Sequence, residues 1–324
     1  MKALLCKEYG PAESLVIEEV PAPVPGKGEV RIGVHACGVN YPDNLIIAGK
    51  YQVQPPLPFS PGFELAGEIL ELGDGVTHLN PGQRVAATSM GGAMAEEICV
   101  PATNVVPIPD TMDFTNAAGF IITYGTSYHA LRQRAQLKPG EKLLVLGAGG
   151  GVGLTAVEIG RLMGAEVIAA ASSTAKLELA GSRGAAHLIN YTESSLREQV
   201  QGLTGGCGVD VIFDPVGGEL FKDCLRSVDW GGRILIIGFA SGTIPNIPAN
   251  LPLLRGISIV GVFWGTFAER EPEANRNNMR ELLAWFEQGK LKPCISRTYS
   301  LEDAPLAMKA LLERHATGKL VVTL

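Results

Sequence analysis

The chain has 324 residues, 27 Lys and Arg against 33 Asp and Glu, a net charge of −6 at pH 7 and 46% hydrophobic residues, a length that favours two domains over one core. The mildly acidic balance, with no basic stripe, gives no electrostatic support to a nucleic-acid partner, and apolar runs are broken well short of the roughly 20 residues a membrane span requires. Six scattered Cys without a Cys-x-x-Cys pair read as reduced thiols; with Met1-Lys2-Ala3 opening directly into a strand-like segment, a cytoplasmic location is expected.

Residues 1 to about 100 read as a compact β module. Short strands are expected at Ala3–Cys6, Leu15–Glu19, Glu29–Ala36, Glu64–Leu72, Arg84–Ala87 and Glu96–Val100, separated by Pro- and Gly-rich turns such as Asn80-Pro-Gly82. Two stretches, Cys37 to Asn44 and Gly49 to Gly62, put polar and aromatic groups outside any periodic element, where function concentrates. From Asp113 to Arg134 the pattern turns helical.

Lys142 to Ala165 organises the middle of the chain. The apolar run Leu143–Leu146 enters a glycine-rich turn and leaves as a helix whose apolar positions Val152, Ala156, Ile159 and Met163 recur at three- and four-residue spacing. Ala148-x-Gly150-x-x-Gly153 supplies small residues where a pyrophosphate-binding turn needs them, and the helix N-terminus faces the anion. Further apolar runs follow at Val167–Ala171, His187–Ile189, Val209–Phe213, Arg233–Gly238 and Ser258–Phe263, with helical patterns at Thr174–Arg183 and Leu196–Thr204. Six strands and their helices predict a doubly wound parallel sheet, giving an α/β chain overall.

The second strand of that sheet selects the nucleotide. A strand tip about 20 residues past the glycines carries Asp or Glu when it binds a free ribose 2′-hydroxyl. Here it reads Ala169-Ala-Ala-Ser-Ser-Thr-Ala-Lys176, so Ser172, Ser173 and Lys176 offer donors suited to a phosphate, which favours NADP(H). The competing reading is that a serine merely caps the next helix while Lys176 is solvated. Beyond the sheet, Glu273–Glu287 and Leu301–Leu312 read as helices and Thr317–Leu324 as a closing strand. Gly256–Trp264 is expected to be the last strand of the sheet and is strongly apolar, an edge that invites pairing, so a homodimer is expected.

Several separated motifs now combine: Cys37-Gly-Val-Asn-Tyr-Pro-Asp43, Pro61-Gly-Phe-Glu-Leu-Ala-Gly67, Pro81-Gly-Gln-Arg-Val85, Thr126-Ser-Tyr128, Gly149-Gly-Gly-Val-Gly153, Asp214-Pro-Val-Gly-Gly218 and Thr317-Gly-Lys319. In their order and approximate spacing the chain resembles, over nearly its whole length, the zinc-independent NADPH:quinone oxidoreductases of the medium-chain dehydrogenase/reductase superfamily. The resemblance implies a GroES-like β domain (residues 1–117 and 273–324), a Rossmann domain binding NADPH (118–272), and an active site in the cleft between them. It also implies roles for single residues. Gly150, Gly151 and Val152, flanked by Ala148 and Gly153, would hold the pyrophosphate, and Lys176, Ser173 and Tyr191, with Ser172, the 2′-phosphate. Asn40 and Thr126 would lie near nicotinamide, with Pro215, Val216, Phe239, Phe263 and Lys319 among the other cofactor contacts.

Zinc-dependent members of the superfamily carry a ligand Cys where this chain has Asn40 and a ligand His where it has Phe63. Their structural zinc needs four closely spaced Cys, whereas between Asn80 and Asp110 only Cys99 occurs, and the pair His35 and Cys37 cannot close a tetrahedral site. No metal is expected. Activated acceptors such as quinones and enones then suit the chain better than simple alcohols, because hydride leaves a delocalised oxyanion that a few donors stabilise. Asn40, Tyr41, Tyr51 and Thr126 are the candidates to line that pocket, and Tyr51 or Tyr41 to give the proton; plain packing of a loop aromatic is the alternative for each tyrosine. The expected activity is reduction of quinones or other activated carbonyls by NADPH, with two alternatives: an enone or enoyl-thioester reductase, and a non-enzymatic NADPH-binding structural or sensor protein. The stretch Trp264 to Arg270 reads as a loop able to reshape the substrate pocket, and His129, His187 and His315 as structural.

Overall fold

The computed structural model describes residues 1–314 and 316–324; His315 lies outside the described residues. The chain divides into two compact units, residues 1–122 with 279–324, and residues 123–278.

The first unit carries strands β1 (Lys2–Leu5), β2 (Val16–Glu19) and β3 (Glu29–Val39), helix α1 (Tyr41–Ile47), strands β4 (Glu64–Leu72), β5 (Arg84–Thr88), β6 (Glu97–Pro101) and β7 (Val105–Pro107), helix α2 (Phe114–Ala118) and the start of α3 (Ile121–His129). The second unit takes the rest of α3 and runs through β8 (Lys142–Leu146), α4 (Gly151–Leu162), β9 (Glu166–Ala171), α5 (Thr174–Ser182), β10 (His187–Asn190), α6 (Leu196–Thr204), β11 (Val209–Asp214), α7 (Leu220–Ser227), β12 (Val228–Ile236), α8 (Asn250–Arg255), β13 (Ser258–Gly261) and α9 (Trp264–Arg270). Helix α10 (Pro272–Glu287) leads back to the first unit, which ends with β14 (Ile295–Ser300), α11 (Ala304–Leu312) and β15 (Lys319–Thr323).

In the first unit a seven-stranded sheet runs β14-β15-β3-β4-β5-β7, with β6 pairing β3 off that path. The C-terminal strand β15 pairs antiparallel with β3, Leu320 opposite Val39. Its core gathers Ile32, Leu65, Ile69, Met94 and Val322, all at most 1% exposed. Glycine makes the β3–β4 contact possible: a Cβ on Gly67 would stand 1.9 Å from the Gly33 carbonyl oxygen, and neither backbone can give way within a paired ladder.

The second unit is a six-stranded parallel sheet in the order β10-β9-β8-β11-β12-β13. Strand order reverses between β8 and β11, which puts a crevice outside the carboxyl ends of those strands. The inner strands β8, β9 and β11 are buried on both faces, as a sheet covered by helices on either side requires. These are a GroES-like β unit and a Rossmann unit, as the sequence predicts.

Four local expectations change. Residues 41–47 are a helix rather than open loop: Pro42 is tolerated in the first turn, and Ile46 and Ile47 are buried. Trp264–Arg270 is likewise helical, Trp264 and Phe267 packing inward. Strands β7 and β14 were not anticipated; β14 is mostly exposed and polar, and its pairing with β15 defines it. The helical pattern over 113–134 splits at Gly119–Phe120 and ends in a π-helical turn, Ala130–Arg134.

Gly67→Ala overpacks the β3–β4 ladder and is expected to cost about 1–3 kcal/mol or more. Urea unfolding checks it; a variant as stable as the parent would show that the ladder yields.

Candidate functional site

At the carboxyl end of β8 the chain turns through Gly147, whose φ of +58° suits glycine. A Cβ on Gly153 would lie 2.2 Å from the Gly147 carbonyl oxygen, so α4 packs directly on the turn. The N-cap of α4 is Gly150, with no side-chain cap bond, which leaves the first-turn N–H groups to an anion. The neighbouring motif borders the glycine turn. Asp214, 2% exposed at the end of β11, accepts from Val216 N at 2.8 Å and Gly217 N at 2.9 Å; burial pushes its carboxyl above the ordinary range. A Cβ on Gly147 would meet Val216 and Pro215 at 3.3 and 3.5 Å, and one on Gly217 would strike Phe239 at 2.9 Å. Phe263 follows β13 on the rim of a recess of about 200 Å³ and is 60% exposed.

Four observations bear on the 2′-position. Strand β9 ends at Ala171 with no acid after it, and Ser172 is exposed. Ser173 is the N-cap of α5, yet its side chain makes no cap bond. The Lys176 stem lies over the turn, where a Cβ on Gly149 would come within 2.5 Å of the Lys176 Cβ. Tyr191, just past β10, donates its backbone N–H to Ala171 O at 3.3 Å, which sets it beside the same strand end. The second unit thus gathers Ala148, Gly150, Gly151, Val152, Gly153, Ser172, Ser173, Lys176, Tyr191, Pro215, Val216, Phe239 and Phe263 at the carboxyl ends of its strands. Thr126, on α3, is half-buried; next to it Ser127 donates to Val152 O at 2.9 Å and pins α3 to α4. The residues fit a dinucleotide.

Asn40, Tyr41, Tyr51 and Lys319 belong to the first unit. Here a buried polar cluster surrounds the start of α1. Glu64, 1% exposed, accepts at Oε1 from Lys319 Nζ (2.7 Å) and Asn40 Nδ2 (3.0 Å), and at Oε2 from Ile122 N (3.0 Å). Asn40 also donates to Gly38 O at 3.1 Å, while its Oδ1 accepts from Lys319 at 2.5 Å. Both amide protons of Asn40 are therefore engaged. Asp43 accepts from Asn40 N at 2.7 Å and Gly62 N at 3.0 Å; burial raises its carboxyl to about 7. Tyr41 and Tyr51 are half-buried; Tyr51 lies edge-on to Phe63 at 5.5 Å, and burial raises its phenol. Glu64 and Asp43 escaped the sequence reading, although both lie inside quoted motifs: nothing local showed that they are buried.

The remaining histidines sort by packing. His129 stacks on Phe267 at 3.9 Å, and burial lowers it. His187 does have an acid partner, Glu166 at 2.7 Å, supplied by the pairing of β10 with β9 rather than by the nearby sequence. His35 is exposed and Cys37 fully buried, with the register against β4 shifting between Val34 and Ala36, so they present no common ligand face.

A GroES-like unit with a Rossmann unit and a glycine-rich turn is the architecture of medium-chain dehydrogenases/reductases. Residues 26–110 match the family model for the alcohol dehydrogenase GroES-like domain, and 151–288 that for zinc-binding dehydrogenase. The chain is 42% identical to quinone oxidoreductase-like protein 2 homolog of Nematostella vectensis, over 99% of this chain and 88% of the relative. It is 39% identical to quinone oxidoreductase-like protein 2 of Rattus norvegicus, covering 100% and 92%. The crystal structure of Escherichia coli quinone oxidoreductase complexed with NADPH superposes with a TM-score of 0.94 at 28% identity, covering 100% of both chains. The chain belongs to the quinone oxidoreductase family of the medium-chain dehydrogenase/reductase superfamily and is an oxidoreductase-like enzyme of that family. The zinc in one model's description does not fit the residues present. Phe63 has no donor atom, the Asn40 amide is held by Glu64, Gly38 and Lys319, and among the described residues no group of three or more His, Cys, Asp or Glu could hold a metal.

Asp43 makes stability depend on pH. The unfolded carboxyl loses its proton near 3.8 and the folded one near 7, so between these values the folded chain holds more protons and stability falls as pH rises. Over that window the wild type should lose up to about 4 kcal/mol relative to Asp43→Asn. Urea unfolding of both proteins from pH 4 to 8 tests this; a constant difference would show that Asp43 is ionised throughout.

Proposed function

We propose that this chain reduces quinones, or closely similar activated carbonyls, with NADPH and without a metal. The observation that carries the cofactor is the tip of β9: a bare strand end, an uncommitted Ser173 hydroxyl, and Lys176 laid over the glycine turn. Quinone acceptors rest on the relatives' names together with the poor fit of the site to zinc. When bound, NADPH supplies the hydride. The backbone N–H groups of Gly151 and Val152 hold the pyrophosphate charge at the start of α4. Lys176, Ser173 and Tyr191 donate to the 2′-phosphate, which carries nearly two charges. Pro215 and Val216 border the glycine turn at Gly147, and Phe239 packs beside Gly217. Reduction of a quinone to its hydroquinone takes one proton besides the hydride. Tyr51, kept protonated by burial, and Tyr41 are the hydroxyls the first unit offers for it, with water restoring the phenol.

The reading also includes a homodimer. Among the described residues strand β13 ends the parallel sheet with β12 alone beside it, and Phe263 (60%) and Leu254 (70%) stand exposed near it in sequence. A second copy related by a two-fold axis covers such an edge.

NADPH consumption over a panel of quinones and a panel of enones, after dialysis against chelator, is the test. Quinone turnover should survive chelation; enone turnover alone would move the substrate class, and activity restored only by zinc would overturn the metal-free reading. Lys176→Ala should weaken NADPH about 10- to 150-fold while leaving NADH nearly unchanged, from the loss of roughly 1.5–3 kcal/mol in a charged hydrogen bond; equal losses for both cofactors would give Lys176 a structural role.

Sedimentation at micromolar concentration should show a dimer. Lys substituted for Val260, at the centre of β13, should yield monomer; a wild type that is monomeric at every concentration would remove the pairing.

A further inference from the structure

Asn40 is gripped from two sides. Its backbone N–H is held by Asp43, and its side chain by Glu64, Lys319 and Gly38. The amide has no proton left to donate to a substrate, and the Lys319 ammonium already serves Glu64 and Asn40. What these bonds fix is the next residue, Tyr41, first in α1. The other oxygen of Asp43 holds Gly62 N. That segment cannot relax: Gly62 has φ +102°, and a Cβ there would strike Ala93, Cys37 and Met94 at 2.9 Å. The following residue, Phe63, packs edge-on against Tyr51. One network therefore sets both tyrosines.

A buried ion pair is a poor source of stability, because desolvation offsets its Coulomb gain. Lys319 and Glu64 have side chains only 7% and 1% exposed, and a purely structural need could be met there by apolar packing. We propose that Glu64, Lys319 and Asp43 are positioning residues for proton delivery: acting through Asn40 and Gly62, they hold the Tyr41 and Tyr51 hydroxyls in one arrangement, while Asn40 and Lys319 touch neither acceptor nor cofactor. The inference rests on the proposed quinone reduction, in which hydride adds to the quinone, a phenol proton goes to the oxyanion, and water reprotonates the phenolate.

The test is the neutral double variant Glu64→Gln/Lys319→Met in the full chain. It removes both charges together, so neither is left unpaired in the interior. Expected are a thermal midpoint near wild type, an NADPH Kd within about twofold by nicotinamide fluorescence, and a kcat for quinone about 10- to 100-fold lower, the scale of a misplaced catalytic group. Imidazolium added as a small acid should raise the variant's rate in proportion to its concentration and leave the wild type unchanged, a rescue that a merely structural role would not produce. If the double variant does not fold, Glu64→Asp keeps the charge but shortens the reach by one methylene, and the same split between kcat and Kd is expected. An unchanged kcat in a folded variant overturns the proposal, as does a decrease without acid rescue. An NADPH affinity that falls as far as kcat places Lys319 against the cofactor and also overturns it. A wild type that reduces no acceptor overturns the proposed function and this inference together, whereas an active wild type matched by its variant overturns this inference alone.

Discussion

A carboxylate taken out of water must be answered by a cation or by hydrogen-bond donors, and in the first unit that constraint falls on Glu64. Its partners come to the start of β4 from three other places in the sequence: Asn40 at the head of α1, Ile122 in the first turn of α3 and Lys319 in the last strand. The pairing of β15 with β3 carries Lys319 across 255 residues of chain to meet it. Without β15 the interior would hold an unpaired charge, and losing one partner of such a pair costs several kcal/mol. The return of the chain end to the first sheet is thus an electrostatic requirement as well as a packing one.

The second unit answers to a different constraint, the crowding of backbone at the ends of β8 and β11. Gly147, Gly149 and Gly153 are not interchangeable with alanine, because the Gly147 carbonyl or the Lys176 stem occupies the space a Cβ would need at Gly153 or Gly149. The same closeness that excludes side chains brings backbone N–H groups to one point, which is why a glycine pattern in the sequence translates into a place for a diphosphate. Asp214 contributes by folding the turn after β11 onto its own carboxylate.

This difference accounts for what the sequence made legible. The Rossmann sheet follows from local signals: apolar runs of strand length, the glycine turn, helical spacing between. All six of its strands were visible, with ends displaced by a few residues, most at β12, where Gly231 and Gly232 hide the first half. The site in the first unit depends on contacts remote in sequence. Helix α1 is short, and what holds its start is Asp43 acting on Asn40 N; Pro42 and the surrounding polar residues read as loop. Strand β14, mostly polar, exists through its pairing with β15. Glu166 and His187 meet only because their strands are neighbours. In each case periodicity is too weak or too local to show the partner.

The two constraints together bear on chemistry. With Phe63 and a fully bonded Asn40 at the positions where zinc-dependent members of the superfamily place ligands, the proposed metal-free reduction calls for an acceptor that brings its own electron sink. A quinone does: hydride addition leaves charge that spreads over the ring, so the protein need only meet an oxyanion that is already partly stabilised. What remains for the protein is geometry. A proton given from a phenol is effective only when the hydroxyl lies within hydrogen-bond reach of the oxygen that receives it, and half-buried tyrosines on a short helix and an irregular stretch have little regular structure of their own to hold them. The density of buried polar bonds around Asn40, Asp43 and Glu64 is what rigidity requires at that point. In this scaffold Asn40, Asp43 and Glu64 spend their buried polar groups on one another, on Lys319 and on backbone N–H and C=O groups around the start of α1.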